Sequence, residues 1–563
     1  MLEETLGAQP AGRADGSDSN LPLWRRGLRR VGRVLKKYSK FIGPGFMVSV
    51  AYIDPGNYST DVAAGATYRF KLLFMVLVSN IFAIFLQSLC IRLGSVTGLN
   101  LAEMCKAHCP PWLNYFLYAM AEAAIIATDI AEVIGTAIAL NLLSGGKIPL
   151  VAGCAISIVD VLFILLFYRP KAGSMKALRV FEIFVACLVV GVVICFCFEL
   201  SRIDNINVRE VFRGYAPSSA IIQGQGLYQA CGILGATVMP HSLYLGSGII
   251  QARLKDFDEH HSPSSNDGRL TNVASTLSAD AGRTGTSAED DSDRDSVSEK
   301  QYRPSLSAIK SCMSYSIAEL AISLFTFALF VNSAILIVAG ASLSNVSGAS
   351  DATLFGIYHL LSHALAPAAG TIFALALLLS GISAGIVCTI AGQMVSEGQL
   401  SLRVRPWVRR LMTRSISITP SIIVAGAMGA EGVSKALNGS QFALSVILPF
   451  VSAPLIYFTC RNKYMTVRDD TSQNNKSGRS GTSASSGMQT FGIQRGVGGI
   501  NSSDSSASGT EVEDGNGQPT AGMEGGVTVM SNGWITIVCA VVIWLIIVVM
   551  NVASLVLVGL GKN

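Results

Sequence analysis

This sequence contains few charged residues. Only 14% of its 563 residues are Asp, Glu, Lys or Arg, whereas 50% are hydrophobic and the mean hydropathy is +0.47. This is too apolar for one soluble core, and it indicates a polytopic membrane protein. The 42 basic and 37 acidic residues nearly cancel, so the sequence gives no reason to expect a nucleic-acid partner.

Histidine is scarce, and the cysteines are not paired in motifs. There are six histidines, and no His-Glu-x-x-His occurs, which argues against an intramembrane metalloenzyme. The 12 cysteines are scattered without a Cys-x-x-Cys pattern, so neither a disulfide framework nor a zinc ribbon is expected. Cys105, His108 and Cys109 share one short loop and could bind a metal, but a fourth ligand is missing.

The apolar residues are grouped in blocks of membrane-spanning length, about 20 residues each. They predict eleven transmembrane helices, near 41–66, 72–96, 112–142, 148–168, 179–200, 227–250, 311–341, 364–392, 408–430, 439–460 and 533–560. Basic residues at 24–37, 168–179 and 403–414 fall on one side of this arrangement, and no cleavable signal peptide precedes it. The positive-inside rule therefore predicts a cytoplasmic N-terminus and a lumenal C-terminus.

The same pattern divides the chain into segments. Residues 1–40 form a basic cytoplasmic tail, 41–460 the core of ten helices, and 533–563 the eleventh helix with the C-terminus. Two Ser-, Gly- and Asp- or Asn-rich segments, 254–303 and 461–532, are predicted to be disordered cytoplasmic regions that could bind regulators. Asn345 and Asn438 are glycosylation candidates on the lumenal side.

Two membrane helices are interrupted by proline. Asp54-Pro55-Gly56-Asn57 breaks the first helix, and Met239-Pro240-His241 breaks the sixth. Within a bilayer, broken backbone survives only where it lines a cavity or is buried in protein. Breaks five helices apart predict two inverted repeats, about 41–200 and 227–460, with a binding site between them near the midplane.

The side chains at the breaks suggest a ligand. Asp54 offers a carboxylate, Asn57 a neutral oxygen, Met239 a thioether, and free carbonyls near Ala51 and Ala236 add oxygens. Ca²⁺ and Mg²⁺ prefer shells of oxygen alone, whereas Fe²⁺ and Mn²⁺ accept this mixture. The alternatives are a structural Asp cap in a re-entrant turn and a methionine that only fills the core.

The two motifs together resemble the signature pair of the natural-resistance-associated macrophage protein (Nramp) family of divalent-metal transporters, over about residues 40–460. The flanking Gly392-Gln393, Glu397-Gly398 and the segment 450–455 resemble its fungal branch that serves iron at the vacuole. The resemblance implies an all-α LeuT-like fold of five plus five helices with an eleventh appended. It also implies proton-coupled, alternating-access movement of Fe²⁺ or Mn²⁺ toward the cytoplasm, in a vacuolar or other endomembrane, without enzyme activity or a resident cofactor.

The resemblance also implies roles for particular residues. The implied metal ligands are the side chains and carbonyls of Asp54, Asn57, Ala51, Ala236, Met239 and Gln441. One departure is Ile382, in Gly381-Ile382-Ser383, where the family usually has glutamine; an amide beside the eighth helix is therefore replaced by an aliphatic side chain.

Three acidic residues lie on one face of the third helix. Glu122, Asp129 and Glu132 are spaced by seven and three residues, and within an apolar span they need partners or water. Arg253 and Arg414 are the expected partners. The cluster is either a static salt bridge or a proton route, and the resemblance favours a route with Asp54 and His241 at its upper end.

Two other classes of protein compete with this interpretation. An amino-acid transporter of the same fold is the first, but a buried Asp beside a thioether suits a substrate carboxylate poorly. A metal-sensing receptor is the second, but it would need a folded effector domain, and the cytoplasmic segments are predicted to be disordered.

Overall fold

The computed structural model describes residues 44–158, 175–203, 207–223, 225–261, 302–343, 353–364, 367–400, 406–468 and 527–561. Its helices are α1 (Pro44–Val50), α2 (Pro55–Tyr68), α3 (Leu73–Thr97), α4 (Leu101–His108), α5 (Pro111–Leu143), α6 (Leu150–Ile156), α7 (Met175–Ser201), α8 (Val208–Gly214), α9 (Gly226–Thr237), α10 (Pro240–His261), α11 (Leu306–Ser323), α12 (Leu329–Ser342), α13 (Leu354–Ala364), α14 (Pro367–Leu400), α15 (Pro406–Cys460) and α16 (Trp534–Gly559).

Three short elements complete this part of the chain. A 3₁₀ turn spans Ser219–Ile222, and a π-helical turn, Leu324–Ala328, joins α11 to α12. Strands β1 (Thr466–Arg468) and β2 (Val527–Val529) pair antiparallel, with Thr466 opposite Val529.

The described helices fit eleven membrane crossings. Eight helical segments are long and apolar enough to cross a bilayer by themselves. The long α15 supplies two crossings, since its backbone leaves the helical region at Gly429, where φ is 61°. The broken pair α1 and α2 forms the first crossing, and α6 is the start of the fourth, whose remainder lies outside the described residues.

Helix α5 lies at the centre of the molecule, packed against α14 and α15. Helix α2 packs on α12, and α10 packs on α3. Close approach depends on small residues, as is usual between membrane helices. A Cβ atom on Gly94 of α3 would lie 2.0 Å from the Ser247 carbonyl oxygen of α10, and one on Gly65 of α2 would lie 2.6 Å from the Leu336 carbonyl oxygen of α12.

Both predicted disordered segments have wrong boundaries. Helix α10 continues to His261, so residues 254–261 are the last two turns of the sixth crossing and not part of a disordered segment. The segment 461–532 begins and ends in the paired strands β1 and β2. Residues 262–301 and 469–526, the tail 1–40 and Asn345 lie outside the described residues.

Asn438 is a poor glycosylation candidate in the fold. It lies inside α15, not in a surface loop, and its side-chain oxygen accepts a hydrogen bond from the Ser59 hydroxyl of α2. An acceptor asparagine needs an exposed loop. The predicted glycosylation site is wrong because a loop was expected between the ninth and tenth helices. The helix is interrupted there only at Gly429, and Asn438 is helical.

The tight contact at Gly94 leads to a stability prediction. Gly94→Ala should lower the free energy of unfolding by about 1–3 kcal/mol, because the new methyl group overpacks the α3–α10 contact. The measurement is the melting temperature of the protein purified in detergent. The control is Gly439→Ala, since Gly439 has open space around its Cβ position. Equal melting temperatures for the two variants would contradict the close packing.

Candidate metal site

The first break is organised by Asp54. It caps α2 in extended conformation, with φ −120° and ψ 166°, and its carboxylate accepts the backbone N–H groups of Gly56 (3.1 Å) and Asn57 (3.0 Å). Pro55 has no N–H, although in a continuous helix this residue would donate to the carbonyl four residues earlier. That carbonyl belongs to Ala51, so the proline frees the backbone oxygen that the sequence predicted to be a ligand.

The second break repeats this arrangement. Helix α9 ends at Thr237 and α10 begins at Pro240, with Val238 in a non-helical conformation between them. The residue four positions before Pro240 is Ala236, whose carbonyl therefore also lacks its helical donor. The same local chemistry thus exposes one alanine carbonyl in each half of the fold.

The two breaks meet at Asn57. Its side-chain nitrogen lies 3.1 Å from the Tyr52 carbonyl oxygen and 3.2 Å from the Ala236 carbonyl oxygen. The Thr237 hydroxyl donates to its side-chain oxygen at 3.4 Å. Residues about 180 positions apart in sequence are therefore in direct contact, as the inverted-repeat prediction requires.

Met239 and Gln441 complete the predicted set. Met239 is fully buried at the second break, directly before α10. A Cβ atom on Gly56 would lie 2.2 Å from the side-chain nitrogen of Gln441, so this glycine leaves room for the Gln441 amide against the start of α2. The structure thus brings the predicted residues of α2 and α15 together at the first break.

Neighbouring helices supply the hydrogen bonds that the broken backbone has lost. Ser380 of α14 donates to the Ile53 carbonyl at 2.8 Å, and Asn332 of α12 donates to the Tyr52 carbonyl at 3.2 Å. The polar contact from α14 therefore comes from Ser380. Ile382, two residues later, packs against the hydrophobic core. Unwound backbone is stable here because it is buried in protein.

The acidic face of α5 lies beside the second break. The Thr128 hydroxyl is 3.3 Å from Nδ1 of His241. The next residue, Asp129, accepts from Arg414 at 2.7 Å, and Glu132 accepts from the same guanidinium at 3.2 Å. All three charged side chains are at most 3% exposed. Arg414 is therefore confirmed as a partner of the acidic face. Glu122 lies two turns earlier on α5 and is partly exposed.

Arg253 was wrongly predicted as a partner of these acids. It donates to Glu319 and to Ser316, both at 2.7 Å, and its guanidinium lies 5.0 Å from the Tyr315 ring centre. These partners are on α11. The rotation of α10 about its own axis directs Arg253 toward α11 and Glu319, an acid that the sequence analysis did not consider.

Cys105, His108 and Cys109 do not form a metal site in the described part of the chain. Cys105 is buried, whereas the His108 ring is exposed and stacks 4.7 Å from the Tyr464 ring. A different group, Asp129, Glu132 and Cys388, is close enough to hold a metal ion. However, the guanidinium of Arg414 already provides the compensating positive charge there.

Two further buried carboxylates, neither of them hydrogen-bonded in the described part of the chain, were also missed. Asp61 lies seven residues after Asp54 on α2 and is fully buried, and neither of its oxygens has a hydrogen-bond partner among the described residues. Glu199, near the end of α7, is buried in the same way. The signal was available in the sequence, because an acid in an apolar span is a functional candidate by default.

Two broken helices, five crossings apart and joined by a buried polar site, define a secondary transporter with the LeuT-like fold. A family profile described as "Natural resistance-associated macrophage protein-like" matches residues 45–281 and 292–477. The chain belongs to this family, which confirms the resemblance and the predicted fold class.

Similar proteins are found in yeast and bacteria. The chain is 49% identical to "Manganese transporter SMF1" of Saccharomyces cerevisiae over 536 residues, 94% of this chain and 87% of that one. It is 52% identical to "Iron transporter SMF3" of the same yeast, over 79% of this chain and 86% of that one. The crystal structure of an Eremococcus coleocola manganese transporter superposes with a TM-score of 0.64 at 26% identity, covering 92% and 87% of the two chains.

The ion triad on α5 and α15 leads to a second prediction. Arg414→Gln should lower the free energy of unfolding by about 3–5 kcal/mol, because Asp129 and Glu132 lose their shared buried cation. Melting temperature and the fraction of monodisperse protein measure the effect. Adding Asp129→Asn and Glu132→Gln to this variant should restore part of the loss.

The matched control for this prediction is Lys435→Gln. It removes an ion pair with Glu431 that is 70–77% exposed and should change the melting temperature little. If Arg414→Gln had the same melting temperature as the wild type, the ion triad would not contribute to holding α5 against α15.

Proposed function

We propose that this chain is a secondary transporter of the divalent transition metals Fe²⁺ or Mn²⁺, and neither an enzyme nor a sensor. One observation carries the proposal: the Asn57 amide contacts the Ala236 carbonyl. This contact joins the two breaks, and it supports a shared site for Asp54 of the first break and Met239 of the second. Relatives named as manganese and iron transporters support this class of substrate.

The proposed ligands follow from the freed groups at the two breaks. Asp54 supplies a negative charge, and the carbonyls of Ala51 and Ala236 supply oxygens that no helical N–H occupies. Asn57 and Gln441 add amide oxygens, and Met239 adds the thioether. A thioether contributes nothing to a hard cation such as Ca²⁺, so this set favours transition metals.

Proton coupling follows from electrostatics at Asp54. A divalent cation favours the ionised form of a nearby carboxylate, so metal arrival and proton release are linked. The released proton needs a polar route through the apolar interior. His241, Thr128 and Asp129 offer one, since the His241 ring lies 3.3 Å from the Thr128 hydroxyl and Asp129 is the next residue of α5.

The direction and location of transport rest on the sequence. The positive-inside pattern supports a cytoplasmic N-terminus and a lumenal C-terminus. Movement toward the cytoplasm, at a vacuolar or other endomembrane, is what the fungal resemblance favours. The site needs no resident cofactor, because the metal is the cargo.

The metal site is tested with Asp54→Asn. This variant should insert normally but lose metal transport by at least tenfold, because the only full negative charge among the proposed ligands is removed. The measurement is Fe²⁺ and Mn²⁺ uptake into proteoliposomes. Glu431→Gln, at an exposed carboxylate distant in sequence from both breaks, is the control and should transport normally. Undiminished uptake by Asp54→Asn would refute the proposal.

The proton route is tested with Asp129→Asn. We expect metal uptake to continue at a reduced rate while the ratio of protons to metal ions falls, because the acid beside Thr128 is neutralised. A pH-sensitive dye and a metal-sensitive dye in the same vesicles give this ratio, with an imposed pH gradient in each direction. An unchanged ratio would show that the acidic face of α5 is a static ion pair.

A further inference from the structure

A large cavity lies away from both breaks. It has a volume of about 630 Å³ and lies between the start of α5, the last turns of α15 and the helix α16. Its walls are mostly apolar, with Leu113, Phe116, Phe450, Val548 and Val552 among them. The lining includes none of the proposed metal ligands. An apolar cavity between membrane helices suits a hydrocarbon chain better than an ion.

The α15 wall of the cavity is about as long as one leaflet of a bilayer is thick. Its lining on α15 runs from Val446 to Phe458. At 1.5 Å per residue these twelve steps span about 18 Å. The hydrocarbon core of a bilayer is about 30 Å thick, so one leaflet contributes about 15 Å. The α15 wall therefore runs from the end of this helix to about the middle of the membrane, while α16 lines the cavity as far as Leu555.

The end of the cavity near Phe458 is basic. Arg461 and Lys463 follow α15 directly and are both exposed. The Arg461 guanidinium lies 5.2 Å from the Tyr457 ring centre, and the Lys463 amine lies 5.5 Å from that of Tyr464. The Tyr464 ring in turn stacks 4.7 Å from His108, which lines the cavity together with Tyr457.

These two cations are available for an anion. Among the described residues, no carboxylate forms an ion pair with Arg461 or Lys463. Their cation–π contacts hold them beside two aromatic rings, of which the Tyr457 ring lines the cavity. Basic groups at the end of an apolar groove between membrane helices are suited to phospholipid headgroups.

We propose that this cavity binds an anionic glycerophospholipid. One acyl chain lies along the apolar walls, and the phosphate lies at Arg461, Lys463 and His108, where charge-assisted hydrogen bonds can form. The lipid fills the space between the ten-helix core and the eleventh helix, which is held at this wall by the Trp544 indole N–H bonded to the Pro449 carbonyl at 2.9 Å. The site is separate from metal transport and does not depend on it.

The test compares two lipids with identical acyl chains. Full-length protein in detergent is mixed with phosphatidylglycerol or phosphatidylcholine, and bound lipid is measured by native mass spectrometry together with the melting temperature. The wild type should bind phosphatidylglycerol more tightly and be stabilised more by it. Arg461→Gln with Lys463→Gln should weaken phosphatidylglycerol binding by roughly fivefold per removed charge, and weaken phosphatidylcholine binding less, because the choline cation offsets the charge of its phosphate.

Two further variants distinguish the cavity from the membrane surface in general. Arg209→Gln with Arg213→Gln removes two exposed charges from α8, which does not line the cavity, and should leave both affinities unchanged. Ala453→Phe places a ring in the cavity and should reduce the binding of both lipids, with transport as the check that the protein is folded.

Three results would overturn the proposal. The first is equal affinity of the wild type for the two lipids. The second is unchanged phosphatidylglycerol binding after loss of Arg461 and Lys463. The third is normal lipid binding by a folded Ala453→Phe variant, which would place the bound lipid elsewhere.

Discussion

The structure depends on one constraint: a backbone carbonyl inside a bilayer needs a hydrogen-bond partner or a ligand. Pro55 and Pro240 each remove the donor that a continuous helix would supply. Polar side chains of neighbouring helices donate hydrogen bonds to carbonyls at the first break. Ser380 donates to the Ile53 carbonyl, and Asn332 donates to the Tyr52 carbonyl. The buried polar groups of α12 and α14 are therefore consequences of the broken first helix. The Ala51 carbonyl, one of the proposed ligands, lacks the helical donor that Pro55 cannot supply.

Buried charged side chains, like buried backbone carbonyls, need partners within the protein. A buried ionised carboxylate needs a cation or hydrogen-bond donors beside it, and the acids of α5 are paired with Arg414 from α15. Between α10 and α11, Arg253 forms an ion pair with Glu319. Asp61 and Glu199 differ, because neither carboxylate has a hydrogen-bond partner in the described ranges. Buried acids of this kind are the residues from which membrane proteins build pathways for ions.

Small residues make these arrangements possible. A Cβ atom on Gly135 would lie 2.2 Å from Pro55, so this glycine lets α5, with its acidic residues, approach the first break. Gly235 has the same role between α9 and the Gln441 backbone, at 2.3 Å. The eleventh helix, α16, is packed less closely. Its contact with α15 is incomplete, and the cavity lies between the two helices. The ten-helix core is tightly packed, whereas a cavity remains between α15 and α16.

The sequence by itself determined the membrane class, the eleven crossings, the two breaks and the family. These depend on local chemistry: the length of an apolar block, the missing N–H of proline, and the carboxylate and thioether beside it. Only the tertiary structure decided which arginine meets which acid, that Gln441 lies on Gly56, and that a cavity lies beside the contact between α15 and α16. The reason is physical, because the pairing of helices depends on how each one is rotated and how closely it packs. One sequence pattern is compatible with several such arrangements.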